Sequence, residues 1–511
     1  VSVTPKAIAK ISADLVFVGL VACNGGKPVA VDDRVPANVR PGTVSVGGGG
    51  SGDSTATVIG GTAAGGTANG TATAGTTATM SGGAGGGTTG QPGIDAGVDA
   101  GVELFGAPLI AAPTRTSFVL SAVVARGAPE ALQAQVRTQG SQTWQPALQP
   151  TLPAPDVAQW GFSNLEAGQR YEYRIVNGGE QGTVYTGSLI TQRETGATFT
   201  FGVMTDSHIE PPDAVYTGSF PELTLRGIAR DVAAVHPDFL INMGDMLDFH
   251  YFGFNAPPPD PSYARGAYLR YRDSLGDTLG NAAHFPVIGN WEGEDGFYTA
   301  EQIDRARSQR LLYLPGPTPS TYPESGSTTQ DYYAFTWGDA LFIVLNVMSY
   351  TTTPHLLSSN PGLPDDWTLG AAQMSWLQQT LEGATSKWRF LFIHHTVGGA
   401  AGNYSDSAYG RGGGQAAYVG EQAIVHELML KHGVQIFFYG HDHVFTDMVV
   451  DGIHYTLPGS SGAPWKFTSS ETGYTSYWTE SGFGRVEVGP AAVNVKFVAA
   501  GGSVIYEYEL R

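Results

Sequence analysis

Two textures of apolar and polar positions divide the second part of the chain. Between residues 105 and 195 the pattern has a period of two. The run 117–124 is rich in β-branched residues, and 132–138 alternates apolar with polar. Residues 170–176 alternate as a half-buried strand should. Turn-forming residues separate these runs, and no helical period joins them. Short strands in series predict a β-sandwich. From about residue 196 apolar strands alternate with amphipathic helical patterns. Strands are expected at 199–204, 239–243, 286–288, 389–393 and 434–439, with a further pair inside 333–347 joined at Gly338-Asp339. Helices are expected at 223–235, 263–279 and 371–383, the last with Met374, Leu377 and Leu381 on one face. The tail, 484–510, alternates like antiparallel sheet. This succession predicts a layered α/β fold with its site along one rim of a sheet.

Composition adds a third region. At 511 residues the chain exceeds one core. Its 70 Gly and 31 Pro, beside only 14% charged residues, point to a low-complexity segment. Residues 47–92 are almost wholly Gly, Thr, Ala and Ser, which bury too little apolar area to offset the entropy of ordering. The stretch 24–104 is therefore expected to be a disordered tether. It is not a glycine-rich phosphate loop, because no Lys, flanking strand or following helix accompanies it. The net charge of -19 argues against nucleic acid as a partner, as does the lack of a Lys/Arg-rich stretch. It leaves room for a small phosphate ester, since bound metals invert the local charge.

The single cysteine, Cys23, rules out an intramolecular disulfide framework. Lys6 and Lys10 precede the apolar run 15–22, which is too short to span a bilayer and fits a secretory signal. Leu20-Val21-Ala22-Cys23 resembles the bacterial lipobox. The resemblance implies that 1–23 is a lipoprotein-type signal peptide and that a lipidated Cys23 is the membrane contact. The protein is then expected to be extracytoplasmic, a bacterial outer-membrane or cell-surface lipoprotein, or secreted if Cys23 is not lipidated.

The chemistry lies in five polar clusters, each at the end of a predicted strand: Asp206-Ser207-His208, Gly244-Asp245-Met246-Leu247-Asp248, Gly289-Asn290-Trp291-Glu292, His394-His395 and Gly440-His441-Asp442-His443. Taken singly each has a bland reading as a cap, a turn or a satisfied pair. Together they supply carboxylates, an amide oxygen and imidazoles, a ligand set that suits a pair of metal ions. Asp206 and His208 can converge on one ion where the backbone leaves the sheet. Asp245 can bridge two, and Gly244 lets the backbone approach closely. Asn290 offers a neutral amide oxygen, His394 ends a fourth strand, and His441 and His443 can face two adjacent metals. Two cations about 3.5–4 Å apart activate a bridging hydroxide.

This constellation resembles the calcineurin-like metallophosphoesterase superfamily, whose signature runs Asp-x-His, Gly-Asp-x-x-Asp, Gly-Asn-His-Glu/Asp, His, Gly-His-x-His. A fibronectin- or immunoglobulin-like sandwich before it makes the whole similar to the purple acid phosphatases. Leu165 to Tyr171 also resembles the tyrosine-corner entry of such sandwiches. The implied domains are the sandwich at 105–195 and the catalytic domain at 196–511. By the resemblance, one metal is held by Asp206, His208, Asp245 and His443. The other is held by Asp245, Asn290, His394 and His441. His395 would face the substrate, with Thr396 in place of the family's proline. The metals would be two divalent or trivalent ions of Fe, Mn or Zn.

Two departures matter. Asp248 stands where purple acid phosphatases have a Tyr ligand, and those enzymes lack the His of Asp-x-His. The family motif Gly-Asn-His-Glu/Asp reads Gly289-Asn290-Trp291-Glu292 here. That His protonates the leaving group, oriented by the position of Asp248. Losing one general acid costs about 10²–10⁴ in rate. The candidate replacements in sequence are His395, Glu292, Glu294 and Asp295. The expected function is hydrolysis of a small phosphate mono- or diester. The alternatives are a catalytically silent surface-displayed binding protein on the same fold and, third, a nuclease.

Overall fold

The computed structural model describes residues 101–178, 182–211, 220–249, 260–296, 298–350, 368–396, 412 and 421–511. The expected signal segment, Cys23 and nearly all of the tether lie outside these residues.

The first strands are β1 (Glu103–Leu104), β2 (Leu109–Ala111), β3 (Phe118–Arg126), β4 (Leu132–Thr138), β5 (Thr151–Ala154), β6 (Val157–Phe162), β7 (Arg170–Asn177) and β8 (Thr183–Ile190). β4, β7 and β8 form one antiparallel sheet that faces β3 and β6 across Leu120, Trp160, Val136 and Tyr173. Tyr171 Oη accepts the Glu166 amide at 2.9 Å, the bond a tyrosine corner requires.

Next come β9 (Phe199–Met204), α1 (Phe220–Ala234), β10 (Phe239–Asn242), α2 (Pro261–Leu275), β11 (Ala283–Pro286), α3 (Ala300–Tyr313), β12 (Tyr333–Trp337) and β13 (Ala340–Val344). They are followed by α4 (Gly370–Gly383), β14 (Trp388–Phe392), α5 (Glu421–Lys431), β15 (Ile436–Phe438), β16 (Phe445–Val450) and β17 (Ile453–Pro458). After the short α6 (Ser469–Thr472), β18 (Gly482–Val488), β19 (Val493–Ala499) and β20 (Val504–Leu510) close the chain.

One sheet runs β20-β19-β18-β9-β10-β11-β2-β3-β6-β5, and a six-stranded sheet runs β12-β13-β14-β15-β17-β16. They pack face to face through phenylalanines. Phe201 and Phe239 of the long sheet meet Phe342 of the other edge-on at 5.2 and 5.3 Å. Leu225, Ile228 and Tyr268 of α1 and α2 cover the outer face of the long sheet. Leu377, Leu381, Val425 and Met429 of α4 and α5 cover the outer face of the other. The result is the layered α/β sandwich expected from the alternation of strands and helices. β9, β10, β11, β14 and β15 are the parallel strands whose C-terminal ends face one rim.

Three details differ from the sequence pattern. Helix α2 starts earlier, because Asp260 caps it by accepting Ser262 N at 2.8 Å and Pro261 fits the first helical position. The strand expected at 286–288 is β11, ending at Pro286. Helix α3 had no visible apolar stripe, since the side chains it buries are Ala306, Arg310 and Tyr313. Arg310 is satisfied there by Glu294, with Nε 2.5 Å from Oε1, and by the carbonyls of Thr329 and Gln330.

The long sheet also joins the N-terminal strands to the rest. β2 pairs in parallel with β11, Ala111 opposite His284. The buried Arg272 of α2 donates to Ser121 O of β3 at 2.7 Å and to Tyr313 O at 3.1 Å.

Candidate metal centre

All seven expected ligands are at most 4% exposed and lie at the strand rim. Asp206 and His208 follow β9, Asp245 follows β10, Asn290 follows β11, His394 follows β14, and His441 and His443 follow β15. Neighbouring loops are pinned to each other: Asp206 N donates to Gly244 O at 3.0 Å and His208 N to Asp245 O at 2.9 Å. Asp206, His208, Asp245, His441 and His443 all have φ between 48° and 74°. Such left-handed backbone costs non-glycine residues of order 1–3 kcal/mol each and gathers at functional sites. No hydropathy pattern announces it.

Glycines make the crowding possible. A Cβ on Gly289 would lie 2.2 Å from Asp245 Oδ1, and one on Gly440 would lie 2.2 Å from Thr205 Oγ1.

The side chains form two groups. Asp206, His208, Asp245 and His443 place ligand atoms within 4.8 Å of one another, which is the first expected ligand set. His394, His395 and His441 form the second group at the same limit. His395 thus joins its neighbours' nitrogens, with its ring 4.0 Å from that of His441. Asp245 links the groups, its Oδ2 standing 3.6 Å from His208 Nε2 and 3.0 Å from His394 Nε2. Asn290 is fully buried beside them in sequence order.

Polar contacts behind the ligands set their tautomers. His394 Nδ1 lies 2.8 Å from Met243 O and His443 Nδ1 lies 3.1 Å from Trp465 O. A carbonyl only accepts, so each Nδ1 carries the hydrogen and each Nε2 turns a lone pair inward. His443 Nε2 meets His208 Nε2 at 3.2 Å and Asp206 Oδ1 at 3.2 Å. Asp245 Oδ2 and His394 Nε2 stand 3.0 Å apart, close enough to share the proton that a cation would displace. Buried carboxylate and imidazole donors converging on one point are a strong fit to cations. Asp248 stands behind His208, its Oδ2 3.9 Å from Nδ1.

The electrostatics agree. Burial, with His443 beside it, pushes His208 well below the usual imidazole range, so it stays neutral. Burial would raise Asp206, but His443, His394 and His208 outweigh it and hold the carboxyl low. Burial also opposes charge on His394, yet Asp245, Asp206 and Glu292 push it up to about 9. A cation must displace that proton. Metal affinity is therefore expected to rise about tenfold per pH unit from 6 towards 9, with proton release on loading. Calorimetric titration in buffers of different ionisation enthalpy measures both. A flat affinity with no proton release would show that His394 is not a ligand.

Glu292, considered from sequence as a proton donor, faces backbone instead. Its oxygens accept from Gly289 N at 2.6 Å, Asp245 N at 3.1 Å, Met246 N at 2.7 Å and Leu247 N at 3.3 Å. It clamps the Asp245 loop to the Asn290 loop. Burial, with Asp245 beside it, pushes its carboxyl up to about 8, while the amides pull the other way. Glu294 is engaged with Arg310.

Three aromatic residues complete the wall. Trp291 donates its amide to Asp245 Oδ1 at 3.0 Å and sets its ring edge-on to His208 at 5.2 Å. Trp465 lies 4.9 Å from the same imidazole and 5.3 Å from His443, and Phe467 lies 5.2 Å from His443. The loop after β17 that carries Trp465 and Phe467 has no motif in the sequence. Its one sequence signal is an aromatic pair around Lys466.

Residues 199–445 match the family model described as calcineurin-like phosphoesterase. Tartrate-resistant acid phosphatase type 5 of Rattus norvegicus is 22% identical over 313 residues, covering 58% of this chain and 86% of that protein. The Mus musculus protein of the same name gives the same figures. Among solved structures, PhoD superposes with a TM-score of 0.61 at 15% identity, covering 81% of this chain and 92% of that one. At that identity the likeness speaks for the fold.

Proposed function

This chain carries a calcineurin-like metallophosphoesterase domain, and from that premise we propose that it hydrolyses small phosphate mono- or diesters using two bound metal ions. The observation that carries the reading is the convergence of buried donor atoms from four separate strand ends, centred on Asp245. Asp206, His208, Asp245 and His443 would hold one ion, and Asp245, Asn290, His394 and His441 the other. A bound pair supplies a nucleophile from water at neutral pH and neutralises charge on the phosphoryl group. The chain's own residues do the rest. Met243 and Trp465 carbonyls hold two imidazoles in the ligating tautomer. Asp248 backs His208. Glu292 fixes the spacing of two ligand loops through four amides. His395, packed on His441, is placed in this reading to meet the substrate.

The donor set accepts Fe, Mn or Zn, so availability selects the metal. The proposal includes extracytoplasmic display through a lipidated Cys23, supported by the lipobox-like sequence. A second reading, a silent binding protein, draws support from Trp291, which fills the place of the expected acid. The complete ligand shell favours the enzyme, because a silent relative is free to lose ligands.

Metal analysis of purified 101–511 with assays on aryl phosphate mono- and diesters decides between them. Two ions per chain and turnover of one ester class are expected. Two ions without turnover of any ester would favour the silent protein, and fewer than one ion after reconstitution would sink the site.

A further inference from the structure

Asp442 lies between His441 and His443, and the ligand scheme leaves it unused. It is 1% exposed. Its Oδ2 accepts Tyr474 Oη at 2.5 Å and Gly412 N at 2.8 Å. Tyr439 Oη in turn donates to Tyr474 Oη at 2.9 Å. A carboxylate only accepts, so the chain of hydrogens runs from Tyr439 through Tyr474 to Asp442. Both tyrosine rings are fixed, because they pack in the buried cluster that includes Leu377, Val425 and Tyr455. The backbone of Asp442 is engaged as well. Its amide donates to Gly440 O at 2.9 Å and its carbonyl accepts Phe467 N at 3.4 Å. One residue thus joins the end of β15, the segment after α6 and the loop that carries Trp465 and Phe467.

The turn around Asp442 needs holding. His441 and His443 have φ of 74° and 59°. Left-handed backbone on both sides of one position is unfavourable for non-glycine residues unless the surroundings impose it. His441 N donates to Asp206 Oδ2 at 3.1 Å, but that bond ties the turn to another candidate ligand rather than to the core. The bond from Tyr474 ties it to the core.

We propose that Asp442 is a positioning residue: held by Tyr474, it keeps the turn in the conformation that aims His441 and His443 at the metal ions, a role that rests on the two-metal reading above. The turn is then set before any ion arrives, and binding does not have to order it. The role requires an acceptor at the place of Oδ2 and a hydroxyl on residue 474. It does not require a charge on residue 442.

Three variants of the full chain test it: Tyr474→Phe, Asp442→Ala and Asp442→Asn. The probe is Co²⁺ alone, whose visible absorption follows its coordination geometry. Tyr474→Phe and Asp442→Ala are expected to bind Co²⁺ about 10–100-fold more weakly and to alter the visible band. Asp442→Asn keeps an oxygen that accepts both hydrogens, so it should bind within about threefold of the parent with an unaltered band. Circular dichroism of the metal-free samples verifies folding. Tyr474→Phe, which removes one oxygen from a packed ring, decides if the alanine variant does not fold. Parent-like affinity and band in Tyr474→Phe would overturn the positioning role. So would an asparagine variant as weak as the alanine one, since charge would then be what matters. A parent chain that binds fewer than one Co²⁺ overturns the two-metal reading itself, a result distinct from both.

Discussion

Asp245→Ala is expected to leave the protein folded, to remove most of its bound metal and to lower turnover by about 10³-fold or more. Asp245 Oδ2 stands 3.6 Å from His208 Nε2 and 3.0 Å from His394 Nε2, nearer to both than Asp206 Oδ1 at 3.9 and 4.0 Å, so it is the tightest link between the two groups of candidate ligands. Removing it takes one donor from each proposed ion. Several kcal/mol of transition-state stabilisation are at stake, and each 1.36 kcal/mol is tenfold in rate. The fold should tolerate the change. Burial, only partly offset by His394, raises the Asp245 carboxyl above its ordinary range, so this carboxylate does not stabilise the metal-free protein. The metal-free variant should therefore melt no lower than the metal-free parent. Asp245→Asn separates charge from shape, because an amide oxygen can still accept the Trp291 amide at the place of Oδ1. It should keep the loop and lose the metals. Metal analysis, turnover and melting on the same samples measure all of this. If Asp245→Ala retained two ions and activity within tenfold, Asp245 would not be a bridge.

The candidate ligand positions were legible in the sequence because each follows an apolar strand, and strand ends in a parallel sheet share one rim. The same pattern placed β9, β10 and β14 within a residue or two. What stayed hidden has physical causes. Positive φ at Asp206, His208, Asp245, His441 and His443 is a property of the assembled loops, since none of these residue types marks it as glycine does. Helix α3 was invisible because it buries a charge, Arg310, against a partner that precedes it on another loop. Glu292 looked like an acid because a buried glutamate beside an active site has two uses, and only its four amide donors show which applies. Trp465 and Lys466 lie on a loop with no signature, far along the chain from the histidines they flank. The pairing of β2 with β11 is another long-range event, and a three-residue strand carries no sign of its partner.

That last pairing leads to the second large expected effect. The fragment 196–511, cut where the pattern changes from sandwich to alternating strands and helices, is expected to be insoluble or to lack a cooperative melt. The fragment 101–511 should melt in a single transition. The cut strips β2 from β11 and leaves an inner strand of the long sheet as an open edge. It removes Leu109, Ala111, Val123 and Val157 from the cluster they share with Tyr268, Tyr271, Leu275 and Leu279. It also takes Ser121 O from Arg272, a fully buried guanidinium held by two carbonyls, and the Tyr173 hydroxyl from Gly280 O. A buried guanidinium that loses one of its two carbonyl acceptors costs about 1.5–3 kcal/mol, and whole domains are stable by about 5–15 kcal/mol. Arg272 and the apolar cluster together therefore suffice to unfold the fragment. Arg272→Met, similar in volume and without charge, should restore part of the fragment's solubility while changing the melting of 101–511 little. Calorimetry of the two fragments settles the matter. Two separate transitions in 101–511, with one of them preserved in 196–511, would show instead that the sandwich and the catalytic layers are independent domains.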